Sequence, residues 1–522
     1  MNDLGKLPIE DPQVTAIIEA FINISLGISF DDFKDIFNKL FLFLENHISA
    51  DIGLTLKDAE VDEYVPTEDE KGVGSVVFNF GVKSKKISVN TFALQLKIVS
   101  LDALNEIALN LGESFKDYKE RYLNLVKPLL TFAYSRKIRK IAIKSIYTCT
   151  NACTNDNERK IVFDLIIADL LNLLEFDIGV GFFKDMKCII KYIGKSLSLF
   201  ESELKLNVEL LNKISEVLEK VLKKVKDKIN SLYELFNNDS DGIYDANDKS
   251  DQNSDILQLQ KTYKYINILL KGFLQLENNN ENNWKILIDF YADLWKEEQN
   301  IIKNNKAIDS KLREAYENSI AMCLNFYNIF MEYSDSKLFT DLSLGYYQKT
   351  VELINLNIGE NLLGYIVDGY GIICQRQDIS IFEKIFNNII NVIQNILKRN
   401  ITGDNAVTHD KAIRALGKYI YYKLSIDTKI SIEQKLIVTK EFLKLLPAIH
   451  DLEVSDKICE EFFDQVSEEK CNLLLDEKIE EEVKNTVKRI IELNSRENFI
   501  EDLTKLLKTS LTLGLNFGHL VE

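Results

Sequence analysis

Proline and glycine are scarce, at 5 and 21 of 522 residues, well below ordinary usage. All-β and α/β chains need both at their turns, so these counts argue against those classes. Histidine is scarcer still: His47, His409, His450 and His519 lie far apart in sequence. A triad or metal site built on them would have to be assembled by the fold. The seven cysteines (Cys149, Cys153, Cys188, Cys323, Cys374, Cys459, Cys471) are odd in number and scattered. They imply no disulfide framework and fit a reducing compartment. Cys149 and Cys153 are spaced i,i+4 but have no further soft ligands nearby, so they read as buried structural thiols. No uninterrupted hydrophobic run spans a bilayer. The most apolar stretch, Ile161 to Phe183, is broken by Asp164, Asp169, Glu175 and Asp177, which are costly in lipid. The opening Met1-Asn2-Asp3-Leu4-Gly5 has no basic n-region, so the expectation is a chain with neither leader nor membrane insertion.

Basic residues are outnumbered, with 64 Lys+Arg against 81 Asp+Glu and a formal charge of −17. That balance disfavours direct nucleic-acid binding, which needs a basic field. It suits a surface that attracts basic proteins.

Helical periodicity dominates what is present. Over 91–112, Leu94, Ile98, Leu101, Ala108 and Leu111 make one stripe, and Leu96, Val99, Ala103 and Ile107 widen it. So broad a stripe predicts a helix packed on more than one neighbour. Similar segments follow at 115–134, with Pro128 as a kink, and recur through 497–513. Short polar joints make neighbouring helices antiparallel. Pairs recur about every 40 residues, the spacing of HEAT-type repeats. No pair buries its own faces, so the predicted fold is an all-α HEAT/armadillo-type superhelix of about ten helical pairs. Residues 1–60 read as its first helices, and 61–90 as an acidic, glycine-containing loop whose alternating Val76, Phe78 and Phe80 suit a short hairpin. Residues 91–236 and 256–522 read as repeats. Between them, 237–255 reads as an acidic mobile insertion carrying Asp239, Asp241 and Asp245.

Catalytic motifs are missing. Gly72-Val73-Gly74 has no lysine–serine end, and Gly369-Tyr370-Gly371 lies in a helical pattern, where close helix packing explains it better than a dinucleotide site. Neither Gly-x-Ser-x-Gly nor His-Glu-x-x-His occurs. The expectation is a binding protein with no cofactor or metal, not an enzyme.

Several segments resemble, in order, the C-terminal half of the importin beta-3 branch of the karyopherin-β family. Tyr122-Leu123-Asn124-Leu125-Val126-Lys127-Pro128-Leu129-Leu130 looks like that family's "V-x-L-V-x-P-L-L" helix. Ile138-Arg139-Lys140-Ile141-Ala142-Ile143-Lys144-Ser145 matches the HEAT pattern "V-R-x-x-A-x-x-S", with Arg139 in the place of an arginine that braces successive repeats. Asp404-Asn405-Ala406-Val407-Thr408-His409-Asp410-Lys411-Ala412-Ile413-Arg414 resembles "D-N-x-x-x-T-E-N-x-I-S", with departures that include Lys411 and Arg414. The resemblance implies a nuclear import receptor, or its C-terminal half, shuttling between cytoplasm and nucleus. Its implied partners are basic cargo proteins, Ran-GTP and Phe-Gly nucleoporins. The protein-contact residues it suggests are Asp404, Asn405, Asp410 and Arg414, with Asp239, Asp241 and Asp245 in the acidic loop. A HEAT scaffold subunit without a transport role is the alternative.

Overall fold

The structure, a computed structural model, describes residues 12–497 apart from 28, 54, 60–72, 81–82, 133, 201–207, 239–245, 277–283, 306–307, 335 and 377–378. The helix expected over 497–513 and the acidic run Glu68-Asp69-Glu70 therefore lie outside the described residues. The chain divides into two compact units, residues 1–227 with 264–278 and residues 228–263 with 279–522.

The first unit opens with α1 (Pro12–Gly27) and α2 (Phe30–Ser49). Three strands follow: β1 (Thr55–Ala59), β2 (Val73–Phe80) and β3 (Lys83–Asn90). They pair antiparallel in the order β1-β3-β2, with Val76 opposite Ile87 and Leu56 also opposite Ile87. Residues 55–59, read from sequence as part of the opening helices, are thus a strand. Five residues carry too little pattern to reveal a strand whose partner lies some thirty positions on.

Then come α3 (Thr91–Leu111), α4 (Lys119–Val126), α5 (Arg136–Asn151), α6 (Asp156–Val180) and α7 (Phe183–Leu197). The helix expected over 115–134 ends early. Pro128 has no N–H to continue it, and the chain passes from α4 into a 3-10 turn over Lys127–Thr131. Helices α1, α3, α5 and α7 pack successively, and α2 and α4 meet behind them. Leu101, Leu104, Ile107, Ile143 and Ile189 are fully buried in this stack, each worth about 1.5–3 kcal/mol. The unit also holds residues 208–227 of α8 (Val208–Asn238) and residues 264–276 of α9 (Ala246–Leu276). Gly194 of α7 lets Leu269 of α9 approach, since a Cβ there would sit 3.3 Å from the Leu269 Cα. The stretch 237–255, read as mobile, is helical at both ends: α8 runs to Asn238 and α9 starts at Ala246.

The second unit contains α10 (Lys285–Asn304), α11 (Ser310–Tyr333), α12 (Ser336–Ile354), α13 (Glu360–Arg376), α14 (Ile379–Leu397), α15 (Ala406–Tyr419), α16 (Ile432–Lys444), α17 (Leu452–Ser467) and α18 (Glu480–Glu497). Helices α11, α13, α15 and α17 pack in succession as one layer, while α16 and α18 pack in the other. Both units are therefore stacked antiparallel helix pairs of the HEAT/armadillo type. Helix starts follow from sequence: Asn90, Ser135, Asn155, Asp309, Ser431 and Asp451 each accept a first-turn backbone N–H, a contribution of about 1 kcal/mol per cap. All seven cysteines are free, and all but Cys188 are buried. Among the described residues no helix is long and apolar enough to cross a membrane.

The glycines at 369 and 371 mark helix crowding. A Cβ on Gly369 would lie 2.5 Å from Asn328 Oδ1 and closer still to Tyr346 Oη, and one on Gly371 would lie 3.3 Å from the Ala415 Cα. Gly369→Ala should therefore destabilise the second unit by about 1–3 kcal/mol, read as a lower urea midpoint by circular dichroism. An unchanged midpoint would show that Tyr346 yields without cost.

Candidate functional site

The residues singled out from sequence converge on α15 and the turn before it. Asn405 holds the turn: its Oδ1 accepts from the Thr402 N–H at 2.8 Å and its Nδ2 donates to the Asn400 carbonyl at 3.0 Å. Asp404 beside it is exposed. Asp239, Asp241 and Asp245 lie outside the described residues.

Asp410 is fully buried. Its Oδ2 accepts from the backbone N–H groups of His450 and Asp451, at 2.8 and 2.9 Å. Asp451 in turn caps α17 by accepting from the Val454 N–H at 3.1 Å. Asp410 thus pins the start of the next repeat. Desolvation raises its carboxyl pKa against the two N–H donors that favour the anion. Its Oδ1 has no hydrogen-bond partner, so the group is held on one side only.

Lys411, Arg414 and Lys418 form one stripe, spaced three and four residues apart. Lys411 Nζ meets Asp368 of α13 at 2.8 Å and lies 4.5 Å from the centre of the Tyr365 ring. Arg414 donates from Nε and Nη2 to Glu461 of α17, at 3.1 and 2.6 Å. Lys418 approaches Glu461 at 3.6 Å, and desolvation lowers its pKa. Two of the positions that depart from the resembled pattern, Lys411 and Arg414, thus each have an acid on a neighbouring helix. These pairs are partly exposed, so each is worth roughly 1 kcal/mol or less. The stripe joins α13, α15 and α17, and it offers no paired acid and base.

An equivalent clamp in the first unit uses Arg139, on α5. Its Nη2 donates to both carboxylate oxygens of Asp177, at 2.6 and 2.9 Å, and its Nη1 lies 3.4 Å from Asp185. Asp177 ends α6 and Asp185 begins α7, across a turn whose Gly181 has φ of 75°. Both carboxylates are fully buried and Arg139 is 6% exposed. Desolvation raises the Asp177 pKa even against the guanidinium. The arginine was legible from the motif, but its acids, 38 and more residues away, were not.

A second feature went unread in the sequence. Lys137, Lys140 and Lys144 of α5 and Lys184, Lys187 and Lys191 of α7 line one groove of about 300 Å³. Their spacing was visible as i, i+3, i+7 on each helix, but only the packing of α5 on α7 brings the two rows together. Among the described residues no group of three His, Cys, Asp or Glu side chains could hold a metal ion.

Stacked helix pairs clamped in this way define a HEAT/armadillo-type repeat protein. No family model and no curated protein matches the sequence. Solved structures do match, and those of the karyopherin Kap121p are among them. Kap121p bound to Nup53p is 14% identical with a TM-score of 0.68, over 97% of this chain and 42% of that one. Kap121p bound to RanGTP gives the same values. Kap121p bound to Pho4p is 13% identical with a TM-score of 0.64, over 93% and 43%. The chain spans about two-fifths of the length of these structures. At such identity the likeness establishes the fold.

Two measurements probe the clamps. Arg139→Met should cost about 3–5 kcal/mol, because it strands buried carboxylates, and Arg139→Lys should cost less. Equal thermal midpoints for wild type and both variants would refute the clamp. His409, 7% exposed, has its pKa lowered from 6.5 by desolvation, which outweighs the Asp410 charge. A lowered folded-state value means the unfolded chain binds the proton more readily below pH 6.5, so stability is lost as pH falls through that folded value. Asp410, raised by burial, acts in the opposite sense, and His409→Gln leaves it in place. Urea midpoints from pH 6.5 downward should therefore fall less in His409→Gln than in wild type.

Proposed function

We propose that this chain is a karyopherin-β-type nuclear transport receptor of the importin beta-3 branch, or the C-terminal part of one. It binds basic protein cargo, releases it to Ran-GTP, contacts Phe-Gly nucleoporins, and shuttles between cytoplasm and nucleus. The observation that carries this reading is the fold match to Kap121p across nearly the whole chain. The matched structures show Kap121p bound to Nup53p, Pho4p, Ste12p, the SUMO protease Ulp1p and RanGTP. The −17 charge supports the choice of basic cargo, because Coulomb attraction raises the local concentration of cationic segments. The function is binding, with no catalytic step.

Of the candidate contact residues, exposed Asp404 is proposed to touch cargo directly, with Asp239, Asp241 and Asp245 of the acidic 237–255 segment. Asp410 and Arg414, occupied by α17, are proposed to act by setting the spacing of the repeats that present the contact surface. Asn405 does the same for the turn that carries Asp404.

The test is a binding titration with a fluorescein-labelled lysine-rich import-signal peptide, with and without Ran loaded with a non-hydrolysable GTP analogue. The expected result is peptide binding that weakens with salt, weakens several-fold in Asp404→Lys, and is displaced by Ran. Binding of neither the peptide nor Ran would overturn the transport reading in favour of a HEAT scaffold.

A further inference from the structure

The lysine groove of the first unit stands apart from the transport reading, which concerns basic cargo. It lies between α5 and α7, with Tyr265 of α9 at one edge, and no carboxylate is among its lining residues. In a chain with 17 more acids than bases, a groove lined by six lysines and by no acid is a local field of opposite sign. Lys144 reaches out of the groove to pair with Glu106. Among the described residues Lys137, Lys140 and Lys184 have no carboxylate partner. Lys140 is half-buried, so its charge is less screened than that of an exposed lysine. Such charges repel one another at close quarters, and an anion entering the groove would relieve that repulsion.

The shape of the groove selects the kind of anion. Lys137 to Lys144 spans seven residues of helix, about 10 Å, and the α7 row is equally long. The lysines are therefore set along two helix rows about 10 Å long, a spread that suits an elongated polyanion better than a single phosphate. An extended peptide advances about 3.3 Å per residue and places alternate side chains on one face, about 6.6 Å apart. Carboxylates at alternate positions would meet successive lysines on one helix row. The cations are all lysines, compact point charges that suit carboxylates without demanding a bidentate geometry.

Nucleic acid fits less well. Lys191 lies 5.5 Å from the Tyr192 ring centre and 5.9 Å from that of Tyr265, and Lys195 lies 6.0 Å from Tyr192. Ammonium groups already occupy the ring faces on which bases would stack, and the net charge opposes a long polyanion.

We propose that the α5–α7 groove binds a short acidic segment of a protein partner, taken up in extended form with alternate carboxylates on the lysine rows. The measurement is fluorescence anisotropy on the full chain with a fluorescein-labelled (Glu-Ser)4 peptide. Wild type should bind it, and less tightly as salt rises. Lys137→Glu/Lys140→Glu/Lys184→Glu should weaken binding at least tenfold. The corresponding triple Gln variant, which removes charge without adding any, should weaken it several-fold and guards against a folding defect in the first. Lys261→Glu/Lys303→Glu/Lys398→Glu, exposed lysines elsewhere with the same change in net charge, should stay within twofold of wild type. The proposal is overturned by absence of peptide binding, by groove variants within twofold of wild type, by an equal loss in the distant triple, or by a dT12 oligonucleotide displacing the peptide as well as the peptide displaces itself. None of these outcomes depends on Ran or basic cargo, so this inference and the transport reading fail separately.

Discussion

One constraint recurs through both units: a helix pair cannot bury both of its faces, so each must be held in register by the next. Packing supplies the energy but little of the register, since apolar contact is non-directional. Polar clamps supply the register. They connect residues 38 to 48 positions apart, one repeat length: Arg139 to Asp177, Asp410 to His450 and Asp451, Glu317 to the Gly359 N–H, Arg313 to the Leu356 and Asn357 carbonyls, Thr408 to the Glu360 carbonyl. Most end on a backbone group at the junction of two helices. A slip of one residue would misplace every donor.

The two deepest clamps reach the same end by different chemistry. Asp177 is neutralised by a guanidinium, while Asp410 is held by two backbone N–H groups at the start of the next repeat. In both, burial pushes the carboxyl pKa up and the partners push it back. The net contribution to stability is smaller than the hydrogen-bond count suggests, because desolvation offsets much of the attraction. What such groups supply is intolerance of a missing partner. A solvent-exposed pair would permit many spacings between repeats, and a buried one permits a single spacing.

The helices were legible because their apolar stripes are wide and their caps are polar residues of the expected kind, as at Asn90 before α3 and Ser135 before α5. Gly369 and Gly371 could be read as crowding because their surroundings were helical on both sides. Legibility stopped where meaning depends on a distant partner. Strand β1 is recognisable only through β3. The start of α9 carries polar residues from Ala246 to Asp255 with no apolar stripe, so nothing local distinguishes it from a loop. Asp410 has the residue type and motif position of a contact residue. Its N–H partners come from the loop before α17, about 40 residues later, so its part in pinning the next repeat was not readable locally.

The same logic separates two cationic stripes that look alike in sequence. Lys411, Arg414 and Lys418 on α15 and Lys137, Lys140 and Lys144 on α5 share the spacing of a single helix face. On α15 the neighbouring helices supply Asp368 and Glu461, so the stripe is consumed in joining repeats. On α5 the neighbour α7 supplies Lys184, Lys187 and Lys191, which adds charge of the same sign. Holding like charges together costs stability, and the one acid that α5 and α7 carry, Asp185, is committed to Arg136 and Arg139 instead. A charge row to which the neighbouring helix adds like charge, beside one whose neighbours answer it with acids, is the physical contrast between the surface proposed for another molecule and the one that serves the fold.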